Sequence, residues 1–187
     1  MHKLQPEQIA LLSFSAGLAI IETIEILIPE LITVPMLKWP NDVLIYDRKV
    51  SGILCEMRSS VPNTVVIGIG LNLVATFDKS VLDSDANPIS LHEVAATVPD
   101  DLTMLESLRK CLLRQVGQID SQIDSQALLQ QVRSRDALYG RSIAFEQADG
   151  QQIQGIGRGI HSIGELLIQC TDGPITPYHS GRVLSWA

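Results

Sequence analysis

The 187-residue chain is long enough for one sizeable domain, or for one domain plus a small module. Its 45% of hydrophobic and 19% of charged residues indicate a globular protein, and its 4% of aromatic residues predict an aliphatic core. A net charge of −7 and a pI near 5.0 argue against non-specific nucleic-acid binding, which needs clustered Lys and Arg.

The cysteines and histidines form no recognisable ligand set. The three cysteines are widely spaced, without a Cys-x-x-Cys pair, at Cys55, Cys111 and Cys170. An odd and scattered count favours reduced thiols in a cytosolic protein over a disulfide framework. The four histidines also lack metal-ligand spacing and are His2, His92, His161 and His179. The sequence therefore predicts no zinc site.

Residues 6–27 predict the first helix, and Pro6 suits its first turn. The apolar stretch 9–21 resembles a membrane segment. Glu22 and Glu25 follow it, however, so it is shorter than the ~20 apolar residues that span a bilayer. A helix that is apolar on nearly every side is expected to be buried against a sheet. We therefore expect a cytoplasmic protein with no membrane partner.

Four apolar runs predict strands at residues 36–39, 43–46, 50–57 and 64–73. A Pro-Asn-Asp corner at 40–42 separates the first two runs, a charged turn at 47–49 precedes the third, and a turn at 59–63 precedes the fourth. Such short connections predict an antiparallel sheet, since parallel strands need long crossovers. With the helix on one face of this sheet, the fold class is α+β.

The middle of the chain predicts helices after a polar loop at residues 77–87. Ser90 and Glu93 have the spacing of a capping box, which predicts a short helix there. Apolar residues at helical spacing predict a longer helix over residues 101–119, and residues 128–135 predict another short one.

After residue 137 the pattern changes to short strands. The candidates are residues 142–145, 152–156, 166–169 and 183–186. Turn dipeptides separate them at Asp149-Gly150, Ile163-Gly164 and Asp172-Gly173. Several short strands in so little sequence predict a small β-barrel. We therefore divide the chain into domains at 1–137 and 138–187.

Three motifs occur in order in the first domain: Lys38-Trp39-Pro40-Asn41-Asp42, then Lys49-x-x-Gly52-Ile53-Leu54-x-Glu56, then Gly68-x-Gly70-x-Asn72. Together they resemble the biotin protein ligases, the biotin–acetyl-CoA-carboxylase ligases. The resemblance implies an antiparallel or mixed sheet with backing helices, as in class II aminoacyl-tRNA synthetases. It also implies that the C-terminal domain is a barrel of the Src-homology-3 type.

The resemblance implies an activity as well. The family activates biotin with ATP and Mg²⁺ to biotinyl-5′-AMP, and then transfers biotin to a lysine of the biotin carboxyl carrier protein of acetyl-CoA carboxylase. Biotin and ATP are therefore the expected small-molecule substrates. A related transferase acting on lipoate or octanoate shares the general fold, but the Lys-Trp-Pro-Asn-Asp motif favours biotin.

The chain departs from the family pattern before residue 38. There the printed sequence does not contain the Gly-Arg-Gly-Arg loop, the Ser-Thr pair or the Gln that hold biotin in the family, and we expect no DNA-binding module. We therefore expect a truncated catalytic domain, with a homodimer through the sheet as a further expectation. The alternatives are a non-catalytic remnant of the family and a carrier-domain or peptide-binding module that acts through the barrel alone.

Lys49 is the expected catalytic residue. Attack of a carboxylate on the α-phosphate of ATP brings negative charges together, and a fixed cation beside them stabilises the charge that develops. The resemblance implies that Lys49 contacts the carboxylate end of biotin. The alternative is a solvated lysine in a hairpin.

The lysine motif around the Pro-Asn-Asp corner supplies the next candidates. The resemblance implies that Lys38 lies near the adenylate, although a strand-edge lysine is the alternative. Asn41 and Asp42 also suit a tight turn without any function. Asp42 could orient a lysine or help hold Mg²⁺ against the phosphates. A magnesium ion bound to phosphates needs only one or two protein carboxylates.

The remaining binding candidates are apolar residues that would line the pocket and glycines that would let a ligand contact the backbone. Gly52 leaves room for a flat bicyclic ligand on the sheet, or else marks a β-bulge. Ile53 and Leu54 would supply apolar wall. The resemblance implies that Gly70 lets the nucleotide approach the backbone and that Asn72 bonds to the adenylate. A Gly-x-Gly alone does not make a dinucleotide site.

Two C-terminal positions complete the candidates. Arg158 could reach a nucleotide, with an ordinary surface arginine as the alternative. The tail reads Gly181-Arg182-Val183, whereas the family's usual ending is Gly-Glu followed by Val or Ile. Residue 182 therefore carries the opposite charge to the one the resemblance implies.

Overall fold

A computed structural model describes residues 6–58, 64–77, 87–117, 122–171 and 173–187. The three α-helices are α1 (Pro6–Leu27), α2 (Asp101–Gly117) and α3 (Gln122–Ser134). The first four strands are β1 (Met36–Lys38), β2 (Asp42–Ile45), β3 (Arg48–Met57) and β4 (Val65–Leu71). The later strands are β5 (Ser142–Gln147), β6 (Gln152–Ile160), β7 (Leu166–Cys170), β8 (Ile175–Tyr178) and β9 (Gly181–Trp186). The α+β class is confirmed.

The first sheet has the strand order β1-β2-β3-β4, and every pairing is antiparallel as predicted. In β4 the odd-numbered residues are half-buried, while Val66, Gly68 and Gly70 are exposed. Alternation of this kind means that one face of the sheet is covered and the other is open. The turn predicted at 59–63 lies outside the described residues.

Helix α1 covers the buried face of this sheet. Its Gly17 lies against the Leu37 side chain of β1 and close to Ile53 of β3. Residues 9–27 are long and apolar enough to cross a membrane, but 67% of that stretch is buried inside the protein. Packing against the sheet and α2 therefore accounts for the unbroken apolarity of α1.

The β2–β3 hairpin turns at Tyr46 and Asp47, one residue earlier than predicted. Both have positive φ, 51° and 60°, and Ile45 pairs directly with Arg48. Two central residues with positive φ form the turn type whose twist suits a two-residue hairpin. The charged residues after the turn therefore lie within β3.

A β-bulge follows this turn. The register places Leu44 opposite Lys49 but Val43 opposite Ser51, so Val50 is the additional residue on β3. Side chains three residues apart in a regular strand lie on opposite faces. The additional residue brings Lys49 to the same open face as Gly52, where its ammonium can reach across the sheet.

The predicted capping box is confirmed. The Glu93 carboxylate accepts bonds from the Ser90 backbone N–H at 3.0 Å and the Ser90 hydroxyl at 3.3 Å, and a 3-10 turn, Leu91–Glu93, follows Ser90. The bond from the Ser90 backbone lowers the pKa of Glu93, and Arg48 adds to the effect. Most of the loop predicted at 77–87 lies outside the described residues.

The second sheet has the order β8-β7-β6-β5-β9 and is antiparallel throughout. The predicted strands are confirmed, whereas β8 was missed because its Pro177 disfavours a strand. An edge position makes that proline acceptable, since one side of an edge strand needs no partner. Among the described residues no pairing joins β8 to β9, so a closed barrel stays a prediction. Asp172 of the predicted third turn lies outside the described residues.

The two regions share one hydrophobic core. Leu37 donates its backbone N–H to Arg135 at 2.7 Å and accepts a bond from Ala137 at 2.8 Å. The indole of Trp39 donates to the Gly164 carbonyl at 3.1 Å, and its ring packs on Phe145 at 5.9 Å. The second sheet therefore packs directly against the Lys-Trp-Pro-Asn-Asp motif. The domain boundary at 137/138 stays a prediction.

Candidate functional site

One row of residues crosses the open face of the first sheet. Lys38 of β1 pairs with Asp42 of β2, Asp42 pairs with Gly52 of β3, and Gly52 pairs with Gly70 of β4. Directly opposed residues point to the same face. The row therefore presents a cation, a carboxylate and two positions without side chains side by side.

Asp42 is the centre of the charged part of this row. Its Oδ1 lies 2.5 Å from the ammonium of Lys49, and its Oδ2 lies 3.7 Å from that of Lys38. The Asp42 and Lys38 side chains are only 13% and 16% exposed, whereas that of Lys49 is 47% exposed. Asp42 therefore lies close to both lysines, and Lys49 is the more exposed of the two.

Gly52 makes the Lys49–Asp42 contact possible. A Cβ at this position would lie 3.0 Å from both Cε and Nζ of Lys49 and 3.7 Å from Oδ1 of Asp42. The end of the lysine side chain therefore lies over Gly52. The bulge that the sequence offered as the alternative for Gly52 is present, but at Val50.

Lys38 has a partly buried ammonium. Desolvation lowers its pKa, while the Asp42 carboxylate acts in the opposite direction. Lys49 and Arg182 lower it further because they are also cationic. The Lys38 ammonium lies 4.6 Å from the ring centre of Trp186, a cation–π contact.

A cleft of about 380 Å³ opens between this charged row and β9. Its polar and charged lining residues include Lys38, Asn41, Asp42, Asp47, Lys49, Asn87 and Arg182. Of its carboxylates, Asp47 is paired with Arg141 at 2.8 Å. Lys38, Lys49 and Arg182 outnumber Asp42 and give the cleft a net positive charge. Such a charge suits an anionic ligand.

A second cleft of about 330 Å³ lies on the other side of Lys49. Its lining is mostly small and neutral: Ser51, Gly52, Gly70, Asn72, Phe77, Asn87 and Pro88, with Lys49. Lys49 and Asn87 line both clefts. Lys49 therefore lies between a charged cleft and a neutral one.

The backbone of Lys49 is held by a segment distant in sequence. Its N–H donates to the Asn87 carbonyl at 2.8 Å, and its own carbonyl accepts from Ile89 at 2.9 Å. Asn72 ties this segment to β3, because its side-chain amide donates to the carbonyls of Ile89 and Lys49 at 3.0 and 3.3 Å. The Asn72 amide is thus engaged within the protein.

The other predicted binding residues are divided between the two faces. Asn41 donates its side-chain amide to the Ile53 carbonyl at 2.6 Å and so braces the corner. Ile53 is 3% exposed and packs toward α1, whereas Leu54 is 59% exposed on the open face. The structure brings Leu54 to the face that carries Gly52, but not Ile53.

Arg158 lies away from the charged row. Its guanidinium donates to the Gln169 side chain at 2.8 Å, and it lines neither cleft. Within the described parts of the chain, no group of three His, Cys, Asp or Glu side chains could hold a metal ion.

Sequence reasoning missed Asn87, Trp186 and the position of Arg182 in the cleft. Asn87 follows a polar stretch with no periodicity, so nothing in the sequence points to its place beside Lys49. Trp186 and Arg182 reach the cleft only because β9 lies next to β5 and the second sheet packs on Trp39. The departure of residue 182 from the family pattern was the one available signal.

The sequence profile of the Biotin/lipoate A/B protein ligase family matches residues 1–72, which contain every residue of the row. The chain is 32% identical over 157 residues to the biotin–acetyl-CoA-carboxylase ligase of Mycobacterium tuberculosis, covering 84% of this chain and 56% of that protein. The chain is therefore similar in sequence to the biotin protein ligases. It is also 31% identical over 149 residues to the bifunctional ligase/repressor BirA of Salmonella typhimurium, covering 78% of this chain and 45% of that one.

The fold is also similar to that of solved biotin protein ligases. The biotin protein ligase of Aquifex aeolicus, solved in complex with biotin and ATP, superposes with a TM-score of 0.78 at 22% identity. That comparison covers 99% of this chain and 75% of the other. The chain spans about half the length of the curated relatives that it matches.

Proposed function

We propose that this chain provides the lysine-bearing wall of a biotin protein ligase site. The reaction is ATP-dependent activation of biotin to biotinyl-5′-AMP, followed by transfer to a lysine of a biotin carboxyl carrier protein. The observation that carries the proposal is the position of Lys49, which is held by Asp42 over Gly52 between the charged and the neutral cleft.

The first step joins two anions. An oxygen of the biotin carboxylate attacks the α-phosphorus of ATP, the acyl-phosphate bond forms, and the bond to the β-phosphate breaks with release of pyrophosphate. In this proposal Lys49 lies against the carboxylate and the α-phosphate, while Lys38 and Arg182, which line the same cleft, would contact the more distant phosphates. Fixed cations lower the repulsion and cost no reorganisation during the reaction.

The second step uses the same cation. The amine of the carrier lysine attacks the acyl carbon, the amide forms, AMP leaves, and one proton passes from the amine to solvent. Lys49 stabilises the negative charge on the acyl oxygen as the amine adds. Its 47% exposure allows an incoming side chain to reach this position.

In this proposal the ligand lies against the neutral part of the open face of the first sheet. Gly52 and Gly70 are opposite each other, and a Cβ on Gly70 would meet only the Gly52 carbonyl, at 3.9 Å. A flat ring system can therefore lie against the backbone, with Leu54 as apolar wall. In this proposal Ile53 supports the sheet from the core, Asn41 braces the corner, and Asn72 braces the Asn87 segment.

Magnesium enters the proposal as the ion that accompanies ATP. Asp42 is the one carboxylate of the row, and both of its oxygens face ammonium groups. Magnesium is commonly held by one or two carboxylates together with phosphates. In this proposal Asp42 therefore stays with its two lysines, and the phosphates and water would hold the ion.

The finer architecture belongs to the same proposal. We infer that residues 1–137 form the catalytic part and that the second sheet, at 138–187, is the family's small barrel of the Src-homology-3 type. A cytoplasmic location and a homodimer through the first sheet would fit such an enzyme. A biotin carboxyl carrier protein would then approach the open face.

Formation of adenylate tests the proposal. The chain is incubated with biotin, magnesium and ATP labelled at the α-phosphate, and labelled biotinyl-5′-AMP is separated from ATP. Lys49→Met keeps the aliphatic length of the side chain without its charge, and we expect it to reduce adenylate formation about 100-fold. Lys110→Ala, on the exposed face of α2, is the control and should leave the rate unchanged.

Three outcomes separate the alternatives. Adenylate formation that depends on Lys49 supports the ligase proposal. Binding of biotinyl-5′-AMP without adenylate formation would identify a non-catalytic member of the family. Equal rates for Lys49→Met and the unaltered chain would contradict the role assigned to Lys49.

A further inference from the structure

Trp186 is the aromatic residue that touches the charged row from the second sheet. Its ring centre lies 4.6 Å from the Lys38 ammonium. Trp186 belongs to β9, the last strand, and pairs with Ile143 of β5. The contact therefore joins the end of the chain to the first residue of the Lys-Trp-Pro-Asn-Asp motif.

Lys38 needs this contact more than an exposed lysine would. Its side chain is 16% exposed, and its Asp42 partner is 3.7 Å away, too far for a close hydrogen bond. The charged groups that face it are Asp42 from β2, Lys49 from β3 and Arg182 from β9. Because Asp42 is closer to Lys49, at 2.5 Å, the carboxylate is shared unequally.

A tryptophan face attracts an ammonium most strongly when water is excluded from it. Trp186 is half-buried and lines the same cleft as Lys38. The Trp186 ring therefore adds to the attraction between the Lys38 ammonium and the Asp42 carboxylate, which Lys38 shares with Lys49. It also limits the positions of the ammonium to the space between the ring and Asp42.

We propose that Trp186 is the positioning residue for Lys38, and that it sets the affinity of the cleft for the polyphosphate of the nucleotide. The inference rests on the proposed function for the identity of the ligand, but not for the contact itself. Trp186 acts through Lys38 and needs no contact with the reacting atoms. Through Trp186 the second sheet thereby affects the affinity for the nucleotide, independently of the surface formed by Gly52 and Gly70.

Two variants of Trp186 separate a ring effect from a packing effect. Trp186→Phe keeps a ring face, and Trp186→Leu keeps apolar bulk without one. Tyr139→Leu removes an aromatic side chain that is 65% exposed and lines neither cleft, so it is the matched control. Far-ultraviolet circular dichroism and thermal unfolding confirm that each variant is folded.

The first readout is the titration of Lys38, followed by NMR on protein labelled with ¹³C-lysine and assigned with Lys38→Met. We expect the pKa of Lys38 to fall further in Trp186→Leu, to fall less in Trp186→Phe, and to stay unchanged in Tyr139→Leu. An identical Lys38 titration in Trp186→Leu and the unaltered chain would overturn the proposal, whatever the ligand is.

The second readout is calorimetric titration with ATP, inorganic triphosphate and biotin. Trp186→Leu should bind ATP and triphosphate about twofold to thirtyfold more weakly, with a smaller loss for Trp186→Phe and no change for biotin. Equal weakening by Phe and Leu would show a packing role and contradict the proposal. Absence of ATP binding by the unaltered chain would refute the proposed function, while the Lys38 titration would still decide the role of Trp186.

Discussion

The surroundings of the strand glycines differ between the two sheets, being crowded at Gly155 and open at Gly70. In the second sheet a Cβ on Gly155 would lie 2.6 Å from both the Gln169 carbonyl oxygen and a methyl of Ile168. In the first sheet a Cβ on Gly70 would meet only one carbonyl, at 3.9 Å. Both glycines lie inside strands and neither has a positive φ. Packing therefore requires glycine in one sheet, whereas nothing in the fold requires it in the other.

This difference supports the site proposed on the open face of the first sheet. A position that stays open without a structural need is expected where a ligand approaches the backbone. The open face of the first sheet also carries Asp42 with its two lysines, whereas the crowded glycine of the second sheet lies among buried aliphatic side chains. The second sheet therefore acts as a support that positions β9 beside the cleft.

The largest effect expected on stability is that of Gly155→Ala. The added methyl group meets a backbone oxygen that cannot move without breaking the β6–β7 pairing. We expect the free energy of unfolding to fall by about 2–3 kcal/mol, measured by urea denaturation. An unfolding midpoint equal to that of the unaltered chain would show that the second sheet is not tightly packed.

Asp136, at the junction of the two regions, should give the next largest effect. Burial raises the pKa of its carboxyl to about 6, only partly opposed by the bond from the Leu138 backbone N–H at 2.9 Å. The folded chain therefore holds a proton between about pH 4 and pH 6 that the unfolded chain has released. Stability due to this group is present at lower pH and is lost as the pH rises through about 6.

Asp136→Asn tests this junction because it keeps the shape and the bond to Leu138. We expect the variant to be more stable than the unaltered chain at pH 7 by about 1–2 kcal/mol, with the difference shrinking toward pH 4. Urea denaturation at several pH values measures it. A difference that does not change with pH would show that the carboxyl ionises as freely in the folded chain as in the unfolded one.

The smallest effect on stability is expected for Gly70→Ala. The methyl group enters open space, and alanine has less backbone entropy to lose than glycine. We expect a change of no more than about 0.5–1 kcal/mol in the free energy of unfolding, in the stabilising direction. A loss as large as that of Gly155→Ala would remove the contrast between the sheets.

Local patterns in the sequence predicted much of the frame. Helix α1, the antiparallel first sheet and the Ser90 capping box depend on periodicity or on residues close in the chain, and all three are confirmed. The bulge at Val50 was not predictable at its position, because its residues differ little from those of a regular strand. That bulge decides which face Lys49 occupies.

The site depended more on contacts that are distant in sequence. The motifs indicated Lys38, Asp42, Lys49 and the glycines, but not that Asp42 holds both lysines. Ile53 and Leu54 are adjacent in one strand and so must point to opposite faces, and the structure shows that Leu54 is the one on the open face. The Asn87 segment and Trp186 come from elsewhere in the chain, where no local pattern marks them.

The most direct test of the open glycine face is calorimetric titration of biotinyl-5′-AMP into the unaltered chain, Gly70→Ala and Lys49→Met. If the ligand lies on this face beside Lys49, both variants bind it at least about tenfold more weakly, and Gly70→Ala does so without loss of stability. Equal affinity of Gly70→Ala and the unaltered chain for biotinyl-5′-AMP would contradict the account.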